Sequence, residues 1–158
     1  MKKQKRTVGE ILSKKFVSIS KNMDVLKVGR LMTKHKSRYA IVIEKKKAIG
    51  MITENDILRK VFVKNIDGNS IKAHEIMTKK PICLPVEADF VPLYDLMKSR
   101  GIKQFPVEKK GNIIGIVTEE AILAGMAHLI KDLDWKLIST KVDIEDLYYK
   151  LEKIGLLE

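Results

Sequence analysis

The chain has 158 residues, 45% of them hydrophobic and 32% charged, with a formal net charge of +11. That length and balance fit one domain, or two small units sharing a core, and exclude disordered, collagen-like and membrane-embedded classes. The longest nearly apolar stretch, residues 121–130, is broken by Gly125 and His128 and is far shorter than the roughly 20 residues of a spanning helix. The start KKQKRT leads into Val8-Gly9-Glu10 rather than an apolar signal segment, so a cytoplasmic protein without membrane insertion is expected. Cys83 has no cysteine partner, and with His35, His74 and His128 it forms no recognised metal spacing, so neither a disulfide nor a metal site is expected.

In chain order, residues 1–7 are a basic segment of charge +4. Val17-Ser-Ile-Ser20 alternates like a short strand. Asp24 is placed to cap a helix whose positions Val25, Val28, Leu31, Met32 and His35 follow the 3.6-residue period. Tyr39–Ile43 is a continuous β-branched run, Lys45-Lys46-Lys47 a turn, and Ile49–Ile52 a second buried strand. Thr53 ends that strand and is placed to cap a helix over Glu54–Val63. The segment 65–72 is a linker.

Shifting the sequence by 65 positions aligns residues 8–58 with 73–123 without a gap, and about 15 of the pairs are identical. The unit β-α-β-β-α is therefore written twice, at 8–64 and 73–126. The second copy runs through a strand at Ile82–Leu84, a helix at Asp89–Arg100 with Pro92 in its first turn, strands at Phe105–Val107 and Ile113–Val117, and a helix from Glu119. Residues 127–158 lie outside the repeat. There Asp143 is a suitable N-cap, and Ile144, Leu147, Tyr148, Leu151 and Ile154 form the stripe of an amphipathic helix. Such a helix packs on its own chain or a second copy, or docks on another protein.

The excess charge is concentrated early: residues 8–65 carry 14 basic and 5 acidic side chains, 66–126 carry 8 of each, and 127–158 have a net −2. This asymmetry suits an anionic partner, or simply a solvated lysine-rich surface.

Chemistry is concentrated at a corner where a buried strand enters a helix: Gly50-Met-Ile-Thr53-Glu-Asn-Asp56, echoed by Gly115-Ile-Val-Thr118-Glu-Glu-Ala121. The first N–H groups of a helix attract anions and polar ligands. The Thr53 hydroxyl can bond a ligand, and the Asp56 carboxylate can take both hydroxyls of a ribose. The alternative assignment is a capping box, in which Thr53 and Asp56 satisfy each other's backbone. Ala121 shows that the fold does not require the acid. Arg38, and Lys103 in the second copy, stand before the central strand and offer cations to a phosphate.

The gapless repeat and its paired corners resemble a tandem pair of CBS (cystathionine-β-synthase) domains, the Bateman module, over residues 8–126. The resemblance implies an α/β (α+β) fold of two pseudo-symmetric repeats packed together, with clefts for AMP, ADP or ATP, and S-adenosylmethionine as a further candidate. It implies that Asp56 grips the ribose, that Thr53 and Asn55 face the ribose or phosphate, and that Arg38 binds phosphate. Met51 lines the adenine side, with Ala73, Ile76, Ile102, Lys103 and Gln104 completing the stronger cleft. A weaker cleft falls at Thr118 and Glu120. The implied protein is a homodimeric, non-catalytic regulator that needs no cofactor and signals energy or metabolite state to a separate enzyme or transporter. No nucleophile–base pair or Walker-type loop argues otherwise. Two other readings are a nucleic-acid-binding protein using the basic N-terminal half, which rests on charge alone, and an adaptor docking through its C-terminal helix.

Overall fold

The computed structural model describes residues 6–132 together with Tyr149, Glu152 and Lys153. The C-terminal stripe Ile144, Leu147, Tyr148, Leu151 and Ile154 lies outside the described residues, as do residues 1–5. The elements are α1 (Val8–Ile11), β1 (Val17–Ile19), α2 (Val25–Lys34), β2 (Tyr39–Glu44), β3 (Lys47–Thr53) and α3 (Glu54–Ile57), which continues as a π-helical turn over Leu58–Phe62. Then follow α4 (Ala73–Ile76), β4 (Thr78–Lys79), β5 (Leu84–Pro85), α5 (Leu93–Arg100), β6 (Gln104–Lys109), β7 (Asn112–Thr118) and α6 (Glu119–Asp132). Both sequence copies thus show the expected alternation of strands and helices.

The described residues divide into two compact units. The larger comprises Ser13–Pro85 and Phe105–Ile116; the other comprises residues 6–12, 86–104 and 117–132. In the larger unit the sheet order is β1-β2-β3-β4, with β1 parallel to β2 and the remaining neighbours antiparallel. Its core is Val17, Ile19, Val25, Val28, Met32, Ala40, Val42, Ile52, Val61, Ala73 and Ile76. The apolar period of α2 therefore does what the sequence predicts at Val25, Val28 and Met32, whereas His35 falls beyond the helix and is exposed. In the other unit α1, α5 and α6 bury Val8, Leu93, Tyr94, Met97, Ile122, Leu123 and Met126.

The second sheet has the order β5-β6-β7. Its β6–β7 hairpin turns through Lys110 and Gly111, at φ 51° and 75°; the β2–β3 hairpin turns through Lys45 and Lys46, at 48° and 68°. Two consecutive left-handed residues make the tight turn whose twist matches antiparallel strands. Where the second copy uses a glycine, the first holds a lysine in a conformation costly to L-residues.

Several local expectations change. Asp24 stands at the N-cap of α2 but bonds no helix N–H; its carboxylate pairs with the ammonium groups of Lys72 and, at 3.2 Å, Lys27. Lys72 and Lys27 hold Asp24 below the usual carboxylate range. Its counterpart Asp89 lies ahead of α5, which starts at Leu93 with Pro92 as N-cap, and accepts from the Val91 N–H at 3.0 Å. The strand expected at Ile82–Leu84 is only Leu84–Pro85.

The short α1 and α4 are too brief to show a period, and long-range bonds hold them. The N–H groups of Val8 and Gly9 donate to the Ala88 and Val86 carbonyls at 2.8 and 2.9 Å. The repeat-equivalent groups of Ala73 and His74 donate to the Met23 and Lys21 carbonyls at 2.9 and 3.0 Å. Each copy's first helix is thus bonded to the segment ahead of the main helix of the other copy.

Candidate functional site

The first-copy corner lies in the larger unit, where β3 delivers Thr53 to the start of α3. Its motif glycine has a packing reason: a Cβ at Gly50 would lie 2.2 Å from the Met77 sulfur, just beyond α4. Thr53 is extended, at φ −111° and ψ 165°, as an N-cap must be. The Asp56 N–H donates to Thr53 Oγ1 at 3.3 Å. In return, Asp56 Oδ2 accepts from the Thr53 N–H at 2.9 Å and from its hydroxyl at 2.8 Å. The ligand-free corner is a complete capping box.

Two of the first three helix N–H groups are therefore occupied. Asp56 uses Thr53, and the Glu54 N–H donates to the Arg38 carbonyl at 3.1 Å. That second bond fixes the Arg38 backbone at the corner. The second-copy corner, in the other unit, repeats the device: Glu119 N–H donates to the Lys103 carbonyl at 2.9 Å, and Ala121 N–H to Thr118 Oγ1 at 3.3 Å. Lys103 thus stands at the second corner as Arg38 does at the first.

Sequence reasoning missed Lys60. Its Nζ lies 2.7 Å from Asp56 Oδ1 and 2.6 Å from the Ile76 carbonyl oxygen, at the end of α4. The signal was available as an acidic residue four positions before a lysine on a helix. Burial pushes the Asp56 carboxyl up, but the hydrogen bonds from Lys60 and Thr53 outweigh it and hold the group below its ordinary 3.8.

The other expected residues fall as follows. Asn55 is exposed at the helix start, and Met51, Ala73 and Ile76 have buried side chains, at 7%, 0% and 2% exposure. Ile102 and Gln104 are half-buried, Lys103 and Glu120 exposed, and Thr118 half-buried. An open pocket of about 570 Å³ lies in the larger unit along α2 and the π turn, lined by Gly29, Thr33, Lys36, Arg38, Ile57 and Phe62 among others. It takes in Arg38 but neither Thr53 nor Asp56. Leu58, Phe62 and Val63 leave an apolar face there, at 49%, 76% and 72% exposure. Among the described residues no helix is long and apolar enough to cross a membrane, and no group of three acidic, histidine or cysteine side chains is placed to hold a metal.

Comparison with known proteins places these features. An uncharacterized protein of Methanopyrus kandleri is 27% identical over 130 residues, covering 81% of this chain and 66% of its own length. One from Methanocaldococcus jannaschii is 33% identical over 124 residues, covering 78% of this chain and 64% of its own. The chain thus spans about two thirds of the length of these relatives. Among solved structures, the CBS domain pair of protein MJ0100, in complex with 5′-methylthioadenosine and S-adenosyl-L-methionine, superposes with a TM-score of 0.68 at 25% identity, covering 78% of this chain and 97% of that one. The CBS domain matches residues 8–63 and again 73–128, one match on each copy. Matched over both copies, with a CBS pair as its structural counterpart, the chain belongs to the CBS domain family.

Proposed function

We propose that the chain is a non-catalytic regulatory module that binds an adenosine compound, with the first-copy corner as its stronger site. The observation that carries this reading is the Asp56 carboxylate, held ionised beside Thr53 at the start of α3 with Asn55 exposed next to it. An ionised carboxylate at a strand-to-helix corner suits the vicinal hydroxyls of a ribose. The complex of the MJ0100 pair with two adenosyl compounds supports the ligand class. AMP, ADP, ATP and S-adenosylmethionine are the candidates, with Arg38 as the cation for a phosphate. The second-copy corner, with Ala121 in place of the acid, is the weaker site, at Thr118 and Glu120. Regulation of a separate enzyme or transporter completes the reading.

Titration with AMP, ATP and S-adenosylmethionine at moderate salt tests the proposal. Saturable binding that persists as salt rises supports it. Binding to nucleic acid alone, collapsing with salt, favours the electrostatic alternative instead.

We further propose that the module is a homodimer, on the support of the apolar Leu58, Phe62 and Val63 face, since such a face is costly to leave in water.

A further inference from the structure

Asp56 is nearly saturated before any ligand arrives. A carboxylate offers roughly four lone-pair positions. Oδ2 already accepts twice from Thr53, at 2.9 and 2.8 Å, and Oδ1 accepts from Lys60 at 2.7 Å. One position remains, whereas gripping two ribose hydroxyls takes two. One of three contacts must open: the Thr53 hydroxyl, the capping box with the Thr53 backbone, or Lys60.

The last two are not equally held. The capping box ties Asp56 to the backbone and hydroxyl of Thr53, which end β3, and opening it exposes the helix start. Lys60 has a second acceptor, the Ile76 carbonyl at 2.6 Å, which it keeps when it releases Asp56. Its side chain is also 41% exposed, so water can replace the lost carboxylate.

The second copy removes both partners together. By the 65-residue register Asp56 corresponds to Ala121 and Lys60 to Gly125. Ile76 corresponds to Ile11, and a Cβ on Gly125 would sit 3.0 Å from the Ile11 side chain and 3.0 Å from the Phe90 ring. Where the carboxylate is absent, the chain fills the lysine's place with packing. The second copy therefore stands without either member of the pair, so the lysine accompanies the carboxylate.

We propose that Lys60 is a positioning residue that latches the ribose-binding carboxylate: it occupies Asp56 Oδ1 in the empty protein and yields it to the sugar hydroxyls on binding, retaining its hold on the Ile76 carbonyl. This rests on the reading of Asp56 as a ribose acceptor. The latch lowers affinity for any ribonucleoside by the strength of the contact it must give up. It also makes the junction between the π turn and α4 sense whether the site is filled.

The test uses adenosine and 2′,3′-dideoxyadenosine, which carry no phosphate to draw on the lysine charge. Lys60→Met keeps the aliphatic stem and removes the ammonium. A half-exposed ion pair of this kind is worth enough for Lys60→Met to tighten adenosine about two- to fivefold. The dideoxy compound shows no such gain, and in an Asp56→Asn background the gain disappears. Unchanged or weakened adenosine binding by Lys60→Met, with Asp56→Asn still impaired, overturns the latch and leaves the functional reading standing. Full adenosine affinity in Asp56→Asn overturns that reading itself. On the unsubstituted protein, the nitrogen resonance of the Lys60 ammonium shifts on saturation with adenosine and not with the dideoxy compound; a resonance that does not move also overturns the latch.

Discussion

Leu58 and Leu123 are the same residue at the same place in the two copies, yet the first is 49% exposed and the second 3%. The difference begins at this residue, the first of the π turn. In the first copy the chain leaves α3 through a π turn that carries Lys60 to Asp56 and to the Ile76 carbonyl. In the second, α6 runs on as an uninterrupted helix to Asp132, and Gly125 lets Ile11 and Phe90 close against it. One copy keeps an ion pair and an exposed apolar edge; the other buries the leucine of that edge and places Ala127, half-buried, and His128, exposed, where Phe62 and Val63 stand. A duplicated fold can therefore diverge through a few paired substitutions, and Ala121 with Gly125 is such a pair.

The comparison breaks most sharply at Asp56. With hydrogen bonds to a charged group worth about 1.5–3 kcal/mol, Asp56→Ala should weaken AMP and ATP tenfold or more. In calorimetric titration it removes the tighter component, while Glu120→Ala touches only the weaker one. If Asp56 serves the capping box alone, Asp56→Ala lowers the melting temperature and leaves affinity unchanged. The exposed edge gives the next largest effect. Phe62→Glu should reduce a dimeric mass to a monomeric one at micromolar concentration by light scattering, whereas the equivalent second-copy position is already Ala127.

Acid sharpens the contrast further. The carboxyl of Asp56 is held below 3.8 in the folded chain, so its stabilising contribution is present above the unfolded value and is lost as pH falls below about 3.8. Asp56→Asn should flatten the corresponding part of the melting-temperature profile, a contribution that Ala121 cannot make. The smallest effect is at the hairpins. Lys46→Gly copies Gly111 into the first turn, relieves a left-handed lysine at φ 68°, and should stabilise the fold by up to about 1 kcal/mol in denaturant unfolding.

Much of this was legible in the residues. Alternation and β-branched runs mark the strands, the 65-residue register marks the repeat, and Gly-x-x-Thr marks both corners. The unread parts depend on partners distant in sequence. Asp24 has the chemistry of an N-cap but meets Lys72, 48 positions away, and that contact takes its carboxylate from the helix. Gly50 reads as a motif glycine, and only Met77 explains why a Cβ cannot stand there. Lys60 is visible as the partner of Asp56 four residues earlier, yet nothing local announces the Ile76 carbonyl that gives it a second hold. The expected Glu54–Val63 helix likewise divides into α3 and a π turn over Leu58–Phe62, a change that the helix period does not mark.

The crossed bonding of α1 and α4 sets an order on synthesis. A ribosome that has released the chain as far as Met77 has delivered both Ala73 and its acceptor Met23, together with most of the larger unit. At the same moment Val8 and Gly9, made earlier than either, still lack Ala88 and Val86. Nascent chains held with residue 77 emerged and residue 86 still inside the ribosome should therefore protect the amides of Ala73 and His74 from exchange while those of Val8 and Gly9 stay open, so that α1 closes after α4.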